Sequence, residues 1–272
     1  MATIVTDIYE YPLKSSKGNR LKRAEIGLSG LKNDRKVAVI DNGNRIITGR
    51  DFPELVRISS EIKNGRLILK SPDEVSIPVI LYSDYADKTA TLFGKKVAGA
   101  VLTGDSSQWI SDVLKGNFRL IYFAAGSGPL VGNRLRKKEP CTTYVDSAPV
   151  HLINLKTLAY LNSKLPYKVG PENFRPNIVV DGDEPFEEDY WTEISINGCR
   201  LKVQERTKRC IFITINPKTA LKNPNIEPLS TLARIRRSNN QAITFGIDLA
   251  PINQGFIYVG DNVIIRSAVE GE

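Results

Sequence analysis

The chain has 272 residues, with 38 Lys and Arg against 30 Asp and Glu, one His and three Cys, for a net charge of +8. One histidine excludes a multi-histidine zinc centre, and three cysteines exclude an all-cysteine iron–sulfur cluster within one chain. The sparse, odd cysteine set is wrong for a disulfide-stapled secreted scaffold, and 41% hydrophobic with 25% charged residues describes an ordinary globular chain large enough for two domains.

The opening Met1–Ile8 has no basic stretch followed by an apolar run, and runs such as Val97–Leu102 and Ile178–Val180 are too short to span a bilayer. A cytoplasmic protein with reduced thiols and no membrane partner is expected. The positive charge favours anions near the surface without naming them.

In chain order, Ile4–Tyr9 alternates as a strand. Lys36–Ile40 and Arg45–Thr48 flank Asp41-Asn42-Gly43-Asn44 as a hairpin, and Asn64-Gly65 joins Ser59–Lys63 to Arg66–Lys70 in the same way. Further strands are predicted around Val75–Leu81 and Thr91–Phe93, punctuated by Pro72, Pro78 and Gly94. Short strands at this spacing predict a small barrel or sandwich. A helix follows near 105–115, capped by Asp105 or Ser106, with Trp109, Ile110, Val113 and Leu114 on its apolar face and Gly116 at its end. After a strand at Phe118–Phe123, the Gly- and Arg-rich stretch from Ala125 to Pro140 is long enough to be either a flexible excursion or a lid.

The second half predicts a strand at Val150–Ile153, a helix begun by Asn154, a strand at Asn177–Val180, and a hairpin about Asn197-Gly198. A late helix starts near Pro228 and ends among Arg234, Arg236 and Arg237, where cations suit the helix C-terminus. Phe256–Val259, Gly260-Asp261 and Val263–Arg266 read as a closing hairpin. The expected fold is mainly β with a few helices, in two units over residues 1–118 and 119–269.

No P-loop, dinucleotide fingerprint, HExxH or CxxC occurs. His151 lies in the apolar run Val150–Ile153 and reads as a strand histidine; Glu184, Glu187, Glu188 and Asp189 read as a solvated acidic loop. Cys210 is preceded by Arg206, Lys208 and Arg209, cations that favour a thiolate, the soft ligand a metal of high valence accepts. From spacing alone, a small buried hydrophobe in a strand Cys210–Ile213 is the default reading. Cys141 and Cys199 lack such clustering. Lys14-Ser15-Ser16-Lys17-Gly18 is a possible phosphate-holding turn or a solvated loop. Asp34-Arg35 is by default a surface ion pair, and Arg175, between Phe174 and Pro176, is a constrained arginine suited to bidentate anion recognition.

In order and wording these segments resemble a known family. Tyr11-Pro12-Leu13-Lys14-Ser15-Ser16-Lys17-Gly18 with Gly30 and Asp34-Arg35 is similar to the MOSC N-terminal β-barrel domain. Asn173–Val180, Trp191, Arg209-Cys210 with the Asn216-Pro217-Lys218-Thr219 tail, and Gly260-Asp261-Asn262-Val263 resemble a MOSC domain. The resemblance extends to the amidoxime-reducing components of mitochondria and their bacterial relatives. It implies a molybdenum cofactor, a pterin-dithiolene group held between the two units, with Cys210 as its thiolate ligand. Lys14, Ser15, Arg35, Ser147, Arg175, Lys208 and Arg209 would contact that cofactor.

It further implies reduction of small N-hydroxylated substrates, with electrons from a separate donor protein of the ferredoxin or flavin reductase type. The other readings of the same residues are a carrier of cofactor or of sulfur, as a persulfide on Cys210, and a basic nucleic-acid-binding barrel; no nucleic acid partner is expected. The chain departs from the family at Thr207, where many members have cysteine, and at Lys208, Ala220 and Asp248. A ferredoxin-like module and an N-terminal membrane anchor, found in some relatives, are not expected.

Overall fold

The structure, a computed structural model, describes residues 2–72, 78–81, 87–102, 104–123, 143–236 and 242–268. The expected loop from Ala125 to Pro140, and Cys141 and Arg237, lie outside the described residues.

Strands dominate. An eight-stranded sheet runs, from edge to edge, Val263–Ala268, Trp191–Ile196, Cys199–Lys208, Thr244–Pro251, Val150–Asn154, Ile178–Asp181, Ile4–Glu10 and Asn19–Leu21. A five-stranded sheet runs Asp87–Leu92, Lys95–Leu102, Arg119–Tyr122, Val37–Ile40 and Ile46–Ile47. Two three-stranded sheets complete the set, one of which joins Gly255–Tyr258 to Arg23–Gly27. The described helices are Asp105–Leu114, Leu155–Asn162, Pro171–Phe174 and Leu229–Arg236, with 3-10 turns at Pro53–Arg57, Glu187–Tyr190 and Ile211–Thr214. None is long and apolar enough to cross a membrane.

Local sequence explains several of these elements directly. Ser59–Lys63 pairs with Arg66–Lys70 about Asn64 and Gly65, both at positive φ, as a tight hairpin with the right-handed strand twist requires. Asn197 and Gly198 do the same between Trp191–Ile196 and Cys199–Lys208. Asn154 caps its helix by accepting the Lys156 amide at 3.0 Å. At Asp105 the expectation of a side-chain cap fails: Gly104 precedes the helix without a side-chain bond, and Asp105 sits inside the first turn.

Two expectations are corrected. Gly255–Tyr258 and Val263–Ala268 do not form a hairpin, because the first pairs with Arg23–Gly27 and the second with Trp191–Ile196. The turn at Gly260 separates strands that leave for different sheets, a pattern that turn chemistry alone cannot distinguish from a hairpin. The acidic loop is solvated only in part: Glu184 is exposed and Glu187 half-buried, but the two residues that follow are not. Glu188 is fully buried and accepts from the Thr157 hydroxyl at 2.9 Å, and Asp189 pairs with Arg236.

Strands pass between the two halves. Ile4–Glu10 pairs with Ile178–Asp181 in the large sheet, and Arg119–Tyr122 lies between Lys95–Leu102 and Val37–Ile40 in the five-stranded one. The core divides accordingly. Val5, Ile8 and Ile26 pack with Ile178, Ile194, Ile247 and Leu249, whereas Leu13, Val37, Leu55, Ile110 and Leu120 form a second cluster. Close approach fixes the seam at Gly30. A Cβ there would fall 2.3 Å from the Pro149 carbonyl oxygen, and its φ of +102° is open to glycine at little cost.

Candidate functional site

Where the halves meet, a cleft of about 430 Å³ opens. Lys14, Ser15, Arg35, Ser147, Arg175, Lys208, Arg209 and Cys210 all line it. These residues stand in five separate segments of the sequence, and the fold brings all eight to one cavity. Six cationic side chains face three carboxylates around its wall: Lys14, Arg35, Arg50, Arg175, Lys208 and Arg209 against Asp146, Glu205 and Asp248.

The N-terminal segment reaches the cleft through a bound turn. The Lys14 amide donates to the Val37 carbonyl at 2.7 Å, Ser15 turns at φ 67°, and the Ser16 hydroxyl closes on the Leu13 carbonyl at 2.7 Å. This is no solvated loop. Lys14 is 4% exposed, donates to the Tyr144 carbonyl at 2.8 Å and ion-pairs with Asp146. Burial lowers the Lys14 pKa, and the Asp146 carboxylate works in the other direction.

Nor is Asp34–Arg35 a surface pair. Asp34 is 1% exposed, accepts the Tyr11 amide at 2.9 Å, and holds the Arg35 guanidinium. Arg35 then donates to Asn177 Oδ1 and to the Arg175 carbonyl, each at 3.1 Å. Adjacent residues in the sequence form this pair, but strands packed over them remove the water that would otherwise screen it.

Arg175 ends the short Pro171–Phe174 helix in the left-handed conformation, φ 56°. That turn aims its guanidinium back at the Ser16 carbonyl, which accepts from it, with the Tyr11 ring 4.2 Å and the Phe212 ring 5.4 Å away. Burial, and then Arg35, hold its pKa down to about 10. Its Nη2 is buried without a hydrogen-bond partner. A buried donor left open in a cationic cleft is matched to an anion.

Cys210 is exposed, and the residues after it, Ile211–Thr214, form a 3-10 turn. The reading of a buried strand cysteine is therefore overturned. Its cationic partner is also not the expected one. Arg50, in the turn after Ile46–Ile47, donates Nε–H to the Cys210 sulfur at 3.4 Å and Nη2–H to Asp146 at 2.7 Å. Burial works against the Arg50 charge, but Asp146 and then Cys210 more than offset it, so its pKa is raised. The sequence neighbours turn elsewhere. Arg206 faces Asp189, Lys208 pairs with Glu205 at 3.0 Å on the rim, and Arg209 donates to the Phe245 and Phe174 carbonyls at 2.9 and 3.2 Å.

Cys199, by contrast, is a buried core residue whose thiol pKa is raised by burial. Sequence reasoning missed Arg50, Asp146 and Phe93. Arg50 and Asp146 each stand in a short polar turn with no motif. Phe93 carries one signal, a bulky residue before Gly94 in a tight turn. It sits at φ 49° with its ring 4.9 Å from Arg50 and 5.4 Å from Lys14, a strained conformation of the kind found at functional sites.

His151, set aside in the sequence as a strand histidine, is such a residue and also lines the cleft. Burial, then Arg209, lowers its pKa well below the ordinary value.

Comparison with known proteins follows the two halves. Residues 1–117 match the MOSC N-terminal beta barrel domain, and residues 139–264 match the MOSC domain. "Mitochondrial amidoxime reducing component 2" of Bos taurus is 33% identical over 276 residues, spanning 95% of this chain and 82% of that protein. "Mitochondrial amidoxime-reducing component 1" of Homo sapiens is 31% identical over 279 residues, spanning 96% and 82%. Among solved structures, the YUAD protein of Bacillus subtilis aligns over 97% of this chain and 94% of its own at 11% identity, with a TM-score of 0.44. Matched along nearly its whole length, this chain belongs to the MOSC family with an N-terminal MOSC β-barrel domain, the family that includes the mitochondrial amidoxime-reducing components.

Proposed function

We propose that the protein is a molybdenum-cofactor-dependent reductase of small N-hydroxylated compounds, driven by electrons from a separate donor protein. The observation that carries this reading is one exposed thiol, Cys210, at the wall of a cleft that also carries six cationic side chains. A pterin-dithiolene cofactor needs one soft ligand for its metal and several cations for its phosphate and sulfurs. The partnerless Nη2 of Arg175 and the convergence of Lys14, Arg35 and Arg209 fit that group.

When bound, the cofactor supplies the two-electron redox chemistry. This chain's residues do the rest. Cys210 would hold the metal. Lys14, Ser15, Arg35 and Arg175 would hold the anionic tail, with Ser147, Lys208 and Arg209 completing the pocket. Arg50, fixed by Asp146, would orient the sulfur and offset its charge. Asn177 keeps the cradle rigid: its Oδ1 accepts from both Arg35 and the His151 amide at 3.1 Å, and its Nδ2 donates to the Tyr9 carbonyl. A cytoplasmic location belongs to the same proposal and is checked by fractionation.

The test is to purify wild type and Cys210→Ala from a host that makes molybdopterin, then measure metal, pterin and amidoxime reduction. Stoichiometric molybdenum and turnover in the wild type alone support the reading. The exposure of Cys210 also favours the second reading, a sulfur carrier. A pterin-free protein that accepts sulfane sulfur on Cys210 would establish that reading and overturn the reductase.

A further inference from the structure

Beneath the rim of the cleft lies a string of hydrogen-bonded side chains whose inner members, Asp248, Thr207 and His151, are not among the residues that would hold the cofactor. Ser147 Oγ donates to Asp248 Oδ2 at 2.5 Å, and Thr207 Oγ1 donates to Asp248 Oδ1 at 2.6 Å. His151 Nδ1 lies 3.0 Å from Thr207 Oγ1 and 3.1 Å from the Ile247 carbonyl. A carbonyl only accepts, so Nδ1 carries the imidazole hydrogen. Nε2 faces an Arg209 nitrogen, which only donates, so Nε2 is the acceptor. The histidine is therefore neutral, and its lone pair is occupied. Thr207, receiving from His151, has its own hydrogen free for Asp248.

Asp248 is 2% exposed, whereas Ser147 is exposed in the cleft. One end of the string thus meets solvent, and the other is sealed in the large sheet.

We propose that Asp248, acting through the Ser147 hydroxyl, supplies a proton to the departing oxygen of the substrate. The inference rests on the reductase reading. Reduction of R–NH–OH breaks the N–O bond and consumes two electrons and two protons, giving R–NH2 and water. The electrons come from the one-electron donor protein. One proton joins the leaving oxygen to make water, and the other ends on nitrogen. In its protonated form Asp248 donates Oδ2–H to Ser147 Oγ, reversing that bond, and Ser147 passes its own hydrogen to the leaving oxygen. The Asp248 carboxylate left behind then accepts from Ser147, as in the structure, until a proton from solvent recharges it along the same path.

The other carboxylates of the cleft are paired, Asp146 with Lys14 and Arg50 and Glu205 with Lys208. Lys14 is held by Asp146 and the Tyr144 carbonyl, and the free nitrogen of His151 is closed by Arg209. The charged and titratable groups facing Asp248 are His151 from Val150–Asn154, Glu205 from Cys199–Lys208, and Arg209. Burial raises the Asp248 pKa, and Glu205 adds to it. The two hydroxyls and Arg209 work against that rise without reversing it. Such a carboxyl keeps a proton to higher pH than an ordinary aspartate, as an acid at near-neutral pH must.

The test uses the cofactor-loaded full chain, benzamidoxime as probe and a reduced viologen as electron source, for wild type, Asp248→Asn and Asp248→Glu. Molybdenum content, kcat and KM against pH, and the carbon-13 signals of carboxyl-labelled aspartates are measured. An acid works in its protonated form, so wild-type kcat should fall as pH rises through the Asp248 pKa. In Asp248→Asn, kcat should drop about a hundredfold and that limb should vanish. Molybdenum should be retained, KM should change less than about twofold, and one aspartate signal that titrates above the usual range should disappear. Asp248→Glu should restore part of kcat and the limb.

If Asp248→Asn keeps wild-type kcat with the limb intact, or loses its molybdenum, the proposal is overturned while the reductase reading stands. A wild type that holds molybdenum yet reduces no N–O bond overturns both.

Discussion

Arg50 donates its Nε–H to the sulfur of Cys210 at 3.4 Å, although the two residues stand 160 positions apart in the chain. The same guanidinium is fixed at its far end by Asp146, which also holds Lys14. The thiol therefore depends on a residue of the first half for the cation beside it.

Arg50→Ala should lower both molybdenum retention and amidoxime turnover, the latter by about tenfold, as expected for a lost charge-assisted hydrogen bond. Arg50→Lys should not restore either, because a single ammonium cannot replace the two guanidinium nitrogens that reach sulfur and carboxylate together. Metal analysis and steady-state kinetics on the two variants check this. Wild-type values in Arg50→Ala would exclude a role at the sulfur.

Gly246 lies in the strand beside His151 at φ 72°, where a Cβ would sit 2.4 Å from the Leu152 carbonyl oxygen and 2.8 Å from the His151 ring. Gly246→Ala should cost about 3 kcal/mol and displace the imidazole from Thr207. Urea unfolding reads the first effect, and the histidine ring resonances read the second.

Glu188 should make stability fall with rising pH. Burial raises its pKa from 4.5 to about 7 in the folded protein. Between those values the folded state holds a proton that the unfolded chain has released, so stability is greatest below 4.5 and declines up to about 7. Glu188→Gln should therefore stabilise the protein at pH 8 by about 2 kcal/mol and have little effect at pH 4. Thermal or urea unfolding at the two pH values is the measurement, and equal shifts at both would refute the assignment.

Electron transfer should slow as salt rises. The chain carries a net charge of +8, and an acidic donor protein would be steered to it by a field that ionic strength screens. The second-order rate of reduction by such a donor, followed from low salt to about 0.5 M, should decline steeply. A flat dependence would mean that docking does not use this charge.

Much of the local structure is legible in the sequence because tight turns and caps are short-range chemistry. Asn64-Gly65, Asn197-Gly198 and the Asn154 cap each act through a few neighbouring residues. The eight site residues were reached through the wording of their segments, since no spacing rule states that Lys14 and Cys210 meet. Arg50 escaped because its partners, Cys210 and Asp146, come from distant turns. Glu188 misled for the same reason: a run of acids looks solvated until Thr157, 31 positions away, is known to lie against it. The mistaken final hairpin shows the limit of turn signals, which say where a strand ends but not which strand it next joins.

The laced strands have a consequence for how anything enters the cleft. One wall is borne by Arg35 and by Lys14, the latter a few residues beyond a strand hydrogen-bonded from Ile4 to Ile8 into the sheet of the opposite wall. At the other end of the chain, Gly255–Tyr258 is bonded back to Arg23–Gly27. The two walls are thus stitched together and cannot swing apart like the jaws of a hinged enzyme without breaking sheet. Passage must depend on side chains at the mouth, Phe93 and Lys208 among them, which can turn aside while the framework stays closed.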